Sequence, residues 1–297
     1  MTNLIRNTVL GALAAVMSLP ALGSAQTEVD YLNRELGEES IGAAAPTRDD
    51  LMTAIRTAAP GRLIAMLEYG ERVECHACVP LLQQQLLTNG DTEVRKAAAW
   101  WLRHRIFGLG AIINSMRTVL ANDADPVRRA RAAEALGMFH EPTVLPYLSE
   151  ASANDSSEQV RAAAVAALGE LNHIGGNPAI AAALADASPL VRHAAIGQVL
   201  LVNGFDDHDA LVAALGDSET VVRMRAARLV GEMRVDAAVP VLAGLLRGDA
   251  EWTVRQAAAW ALGRIGGADA SAALTEAAGA ETESLVLDAI RIARAMR

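Results

Sequence analysis

The sequence predicts an all-α protein: an α-solenoid, or superhelix, of about seven helical hairpins behind an irregular N-terminal helical cap. Three observations carry this. One short phrase recurs along most of the 297 residues at a period close to 32. The chain is rich in alanine and only 3% aromatic, so its core is built from small aliphatic side chains that suit close helix approach. No segment shows the two-residue alternation of a half-buried strand.

In chain order, residues 1–25 read as a signal peptide. Arg6 is its positive start, Thr8 to Leu19 an uncharged apolar run, Pro20 the break, and Gly23-Ser24-Ala25 a small-residue cleavage site. The run is shorter than the roughly 20 residues that span a bilayer, so no stable span is expected after cleavage. The expected location is the periplasm or outside the cell. Residues 26–47, with Gly37, Gly42 and Ala43-Ala44-Ala45-Pro46, read as a flexible lead-in. Residues 48–77 form the cap, a helical pair with apolar positions Leu51, Ile55, Leu63, Ile64 and Leu67.

Residues 78–297 hold the repeats. Each has a Val-Arg or Arg-Arg pair, an alanine-rich stretch, and Leu-Gly or Val-Gly seven residues on in most copies. The anchors Arg95, Arg129, Arg161, Arg192, Arg223 and Arg255 are spaced by 34, 32, 31, 31 and 32 residues. Asp91, Asp125, Ser157, Ser188 and Ser218 stand where N-caps belong. The glycines after the apolar positions read as C-cap signals. Pro80, Pro146, Pro178 and Pro240 open the intervening helices, where a missing N–H costs nothing. Each repeat is therefore helix A followed by helix B. Ile106 to Ile113 lengthens the first connection beyond the usual few residues.

The stretch Asp155 to Gly169, of the form DxxxxVRxxAAxALG, resembles the short HEAT repeats first grouped with phycobilisome lyases, and the resemblance covers about residues 78–297. It implies a solenoid and says little about function. With the recurring acids Asp123, Asp155, Asp186, Asp217 and Asp249, it also implies a ladder of ion pairs between neighbouring hairpins. The last copy has Leu287 in place of the arginine and Glu281 in the acidic place, with Asp288, Arg291 and Arg294 on a polar outer stripe, as a terminal repeat should.

Candidate chemistry is sparse. The net charge of -9 comes without a basic block, which argues against nucleic acid as a partner. Cys75 and Cys78 are the only cysteines, in Cys75-His76-Ala77-Cys78. A structural disulfide, a redox pair at a helix start, a metal site with His76, and free thiols are the readings this spacing leaves open. Deoxyhypusine hydroxylases, which are HEAT-like, bind iron through several His-Glu pairs; here there is one, His140-Glu141, followed by Pro142. No cofactor and no resident metal are expected. The phycobilin-lyase role implied by the family name is cytosolic, and the signal peptide opposes it.

Tryptophans are the remaining candidates. Trp100 and Trp260 each fall five residues after an anchor arginine and are assigned to the core. Their neighbours Trp101 and Trp252 are assigned to partly exposed positions, where tryptophan often anchors a protein interface. Arg103, His104 and Arg105 form a small basic cluster beside the first pair, and Arg228, Arg234 and Arg264 continue a helix-B surface. The expected activity is therefore non-catalytic: a scaffold or adaptor holding a protein partner along a concave helix-B face. A redox or metal-handling accessory role for the cysteine site is the alternative.

Overall fold

The computed structural model describes residues 46–105 and 108–296. The segment read as a signal peptide and most of that read as a lead-in lie outside the described residues. Contacts divide the chain into two compact units, one ending at Cys78 and the other beginning at Val79.

In the first unit, Thr47 closes the lead-in by capping helix α1 (Arg48–Thr57). Its hydroxyl accepts from the Asp50 N–H, and the Asp50 carboxylate accepts from the Thr47 N–H, a reciprocal capping box. Helix α2 (Pro60–Tyr69) packs against α1, burying Leu51, Ile55, Leu63 and Leu67, while Ile64 is only half-buried.

The second unit is a stack of helical hairpins in chain order, A then B. The pairs are α3 (Cys78–Thr88) with α4 (Thr92–Arg103), α5 (Leu109–Asn122) with α6 (Pro126–Met138), and α7 (Leu145–Asn154) with α8 (Glu158–Leu171). They continue as α9 (Asn177–Ala183) with α10 (Pro189–Val199), and α11 (His208–Ala214) with α12 (Thr220–Glu232). The last two are α13 (Val239–Gly248) with α14 (Trp252–Ile265), and α15 (Gly267–Ala280) with α16 (Ser284–Ala295). No strand occurs among the described residues. The segment read as a long first connection is shorter than expected, because α5 starts at Leu109 and buries Ile112 and Ile113.

Caps follow the sequence in part. Asp91, Asp125 and Ser188 accept the N–H groups of their first helical turns. Ser157 holds the cap position without a side-chain bond, and Ser218 lies one residue ahead of the cap, Glu219. At these two helices the aspartate two residues before the cap does the polar work instead, as shown below.

The repeated glycines are not C-caps. Gly137, Gly169, Gly231 and Gly263 lie inside their B helices, at the crossing with the next B helix. A Cβ at Gly137 would sit 2.8 Å from the Ala167 Cα, at Gly231 2.7 Å from the Ala261 Cα, and at Gly263 2.6 Å from the Ala293 Cβ. Glycine here allows close approach rather than a left-handed turn. Gly231→Ala is expected to force α12 and α14 apart and lower stability by about 1–3 kcal/mol. Gly244→Ala, in α13 with open space around its Cβ, should instead raise stability by about 0.5–1 kcal/mol, the ordinary gain of alanine over glycine in a helix. Urea denaturation of the two variants checks the opposite signs.

Candidate functional site

The largest organised polar feature runs along the turns that join helix A to helix B. Arg129 Nε and Nη2 donate to the two carboxylate oxygens of Asp155 at 2.9 and 2.8 Å. Arg161 does the same to Asp186, Arg192 to Asp217, Arg223 to Asp249, and Arg255 to Glu281. The third nitrogen, Nη1, reaches back to the carbonyl six residues earlier, which belongs to the acidic residue of the arginine's own hairpin: Asp123, Asp155, Asp186, Asp217 or Asp249. Each of these aspartates also accepts, through its carboxylate, the N–H two residues on, fixing the start of helix B. One acid thus closes its own turn and receives the arginine of the preceding hairpin. The planar guanidinium fork is what makes both bonds possible at once.

The first rung departs from the expected pattern. Arg95 pairs with Glu134 of α6, at 2.9 Å from both Nε and Nη2, and Asp123 turns to Arg128 at 2.7 Å. The other rungs bridge 25 or 26 residues, whereas Asp123 lies further along the chain from Arg95, with the 14-residue α5 between them. Asp123 thus falls out of register, and a carboxylate from the facing helix substitutes for it. Nothing in the repeat phrase marks Glu134 for this role.

The carboxyls of the five regular rungs, Asp155, Asp186, Asp217, Asp249 and Glu281, are held below their ordinary values. For Asp155, Asp217 and Asp249 burial is the largest single influence and pushes upward. The arginine hydrogen bond, the backbone N–H and the flanking positive charges together outweigh it. For Asp186 and Glu281 the arginine hydrogen bond itself is the largest influence, and Glu281 is brought to about 2. A carboxyl depressed in the folded state adds stability above its unfolded value and loses it as pH falls through the folded one. For Glu281 the window runs from pH 4.5 down to about 2. Wild type is therefore expected to exceed Glu281→Gln in stability at neutral pH. The two should converge as pH approaches 2, read by thermal unfolding across that range.

The tryptophan assignments are reversed within the first pair. Trp101 is fully buried, while Trp100 and Trp260 are half-buried. Trp100, Glu134, Ala166, Gly197, Arg228, Trp260 and Ile292 occupy the same place in successive B helices, and none is buried. The next place holds Trp101, Ala135, Ala167, Gln198, Leu229, Ala261 and Ala293, all buried except the half-buried Gln198. Arg105 is buried too, its guanidinium 3.7 Å from the centre of the Trp101 ring. Arg103 is half-buried, His104 is exposed, and Trp252 is 38% exposed at the opposite end of a distant B helix. The five residues proposed as one partner surface therefore do not form one.

Cys75 and Cys78 stand at disulfide distance, 2.08 Å between sulfurs, and both are buried. Among the described residues no three His, Cys, Asp or Glu side chains converge as metal ligands would. His140 is set 3.8 Å from Glu170 rather than among further imidazoles. No described helix is long and apolar enough to cross a membrane.

Stacked A–B hairpins stitched by one arginine ladder define the class: a helical repeat protein of the solenoid type. The family profile for HEAT repeats matches residues 79–169 and 208–294. The chain belongs to the HEAT-repeat family. No curated protein matches it. Among solved structures it is similar to the X-ray structure of YibA from Escherichia coli. There the identity is 19% and the TM-score 0.57, with 91% of this chain and 97% of that one covered. It also aligns with human deoxyhypusine hydroxylase in complex with glycerol at 22% identity, TM-score 0.36, covering 84% and 96%. The complex of CpcE and CpcF of phycocyanin lyase from Nostoc sp. gives 20% identity, TM-score 0.39, covering 74% and 94%. These likenesses concern the fold alone.

Proposed function

We propose that this protein is a non-catalytic scaffold or adaptor that acts outside the cytoplasm and holds a protein partner along its B helices. The observation that carries this reading is the use made of the recurring polar groups. The ladder arginines and acids bond to one another across neighbouring hairpins, which leaves the repeats a mechanical task. Stacked repeats then offer a long surface for contact. The half-buried Trp100 and Trp260 replace Trp101 as the aromatic anchors on that face. Affinity capture from membrane and periplasmic extracts tests this. Wild type should recover a partner that Trp100→Ala, Trp260→Ala recovers poorly; equal recovery discards the helix-B face. Fractionation and N-terminal sequencing test export, with cleavage expected after Ala25.

The redox alternative is weakened by burial of both sulfurs, 3% and 0% exposed, since disulfide exchange needs an accessible sulfur. The pair is read here as a structural clasp before α3. Thiol titration of the purified protein without reductant should find no reactive thiol. A Cys75→Ser, Cys78→Ser variant should keep its partner.

A further inference from the structure

The second residue of each B helix is exposed or half-exposed, and in four of six successive helices it is aliphatic. Val127 is 54% exposed, Leu190 46%, Val221 39% and Leu285 47%, with Gln159 and Thr253 between them. Trp252, 38% exposed, fills the gap beside Thr253. Because α6, α8, α10, α12, α14 and α16 pack each on the next, these side chains form a row along the ladder edge. Folding gains less from them there than from a core residue: the first turn of a helix favours acidic or polar residues, and about half of each side chain stays in water. One such residue is ordinary, but a row in register is an apolar strip.

The strip is bordered by uncompensated negative charge. Beside each arginine–acid pair stands one more carboxylate, close enough to act on the arginine: Glu158 at Arg161, Glu219 at Arg192, Glu251 at Arg223 and Glu283 at Arg255. Each of these four rungs therefore holds one cation and two anions, and the edge carries net negative charge rung after rung. We propose that this edge docks a polypeptide segment in which apolar side chains alternate with lysine or arginine, the apolar ones resting on Val127, Leu190, Val221, Trp252 and Leu285. Helices pack at about 8–10 Å, so the row spans roughly 45 Å, the reach of an extended segment of about fourteen residues. The idea rests on the scaffold reading and adds the chemistry of the partner and a second surface for it.

The test uses the full chain and a fluorescent peptide of about fifteen residues alternating leucine and lysine, read by anisotropy. Two controls alternate leucine with glutamate and serine with lysine. Wild type should bind the leucine–lysine peptide at least about tenfold more tightly than either control, and rising salt should weaken binding. Val127→Ser, Leu190→Ser, Val221→Ser, Leu285→Ser combined, and separately Glu219→Gln with Glu251→Gln, should each lower that affinity about tenfold. Helical circular dichroism is expected to stay as in wild type, since all six positions are at the surface. Unchanged affinity in the fourfold serine variant, or equal binding of the leucine–glutamate peptide, overturns the proposal. If that variant still captures from extracts the same partner as wild type, this edge falls while the scaffold reading stands.

Discussion

Asp217→Ala is expected to lower stability by about 3 kcal/mol, near the lower end for breaking a buried ion pair. The Asp217 carboxylate accepts from Arg192 at 2.6 and 2.9 Å and from the Glu219 N–H at 2.8 Å, with its side chain 5% exposed and that of Arg192 12%. Truncation leaves the Arg192 Nε facing no acceptor and Nη2 with only the Ser218 hydroxyl, and unties the start of α12. The damage falls in the middle of the stack. Since each repeat is stabilised by its neighbours, the array should then unfold in two resolved steps rather than one. Asp217→Asn keeps an acceptor for the backbone and for one guanidinium nitrogen, and should cost about half as much. Arg192→Met combined with Asp217→Leu removes both charges and should recover most of the loss, because the largest penalty comes from the orphaned charge rather than from the missing attraction. Urea denaturation of the four proteins reads all three expectations. A single alanine variant within about 0.5 kcal/mol of wild type would remove the ladder as a source of cohesion.

Trp101→Ala is the second large effect, expected at about 3–5 kcal/mol, the range for removing a buried aromatic. Its ring is wholly buried and carries the Arg105 guanidinium on its face at 3.7 Å, so the variant also strips that cation of its aromatic partner. Trp252→Ala, at a 38% exposed position, should change stability by only about 0.5 kcal/mol while weakening any partner held on the ladder edge. Thermal unfolding of the two variants separates the roles. Similar losses in both would show that neither exposure nor place in the helix governs what these tryptophans do.

Much of this molecule was legible in the chain. A ladder rung needs only an arginine near the start of one B helix and an acid just before the next, and both are set by spacing along the chain. The pairing of Arg129 with Asp155, or Arg192 with Asp217, therefore follows from the period together with the family resemblance. The same holds for the proline-opened A helices and for Glu281 taking the acidic place in the last repeat. The first rung escaped because its spacing is irregular, and a partner from a facing helix is visible only in three dimensions.

What the tertiary structure alone decided is which way neighbouring side chains on a B helix point, and which contact each small residue serves. Trp100 and Trp101 are adjacent, about 100° apart around the helix, and the repeat period constrains their phase too weakly to say which faces inward. The crossing of successive B helices settles it. The place after Trp100 holds Ala167, Ala261 and Ala293 where Gly137, Gly231 and Gly263 of the preceding B helix press against it, and Gln198 where Gly169 does. In α4, which opens the series, no such glycine limits size, and a tryptophan fits. The glycines themselves read as helix ends because sequence cannot distinguish a residue that needs an unusual backbone angle from one that must leave room for a neighbouring helix.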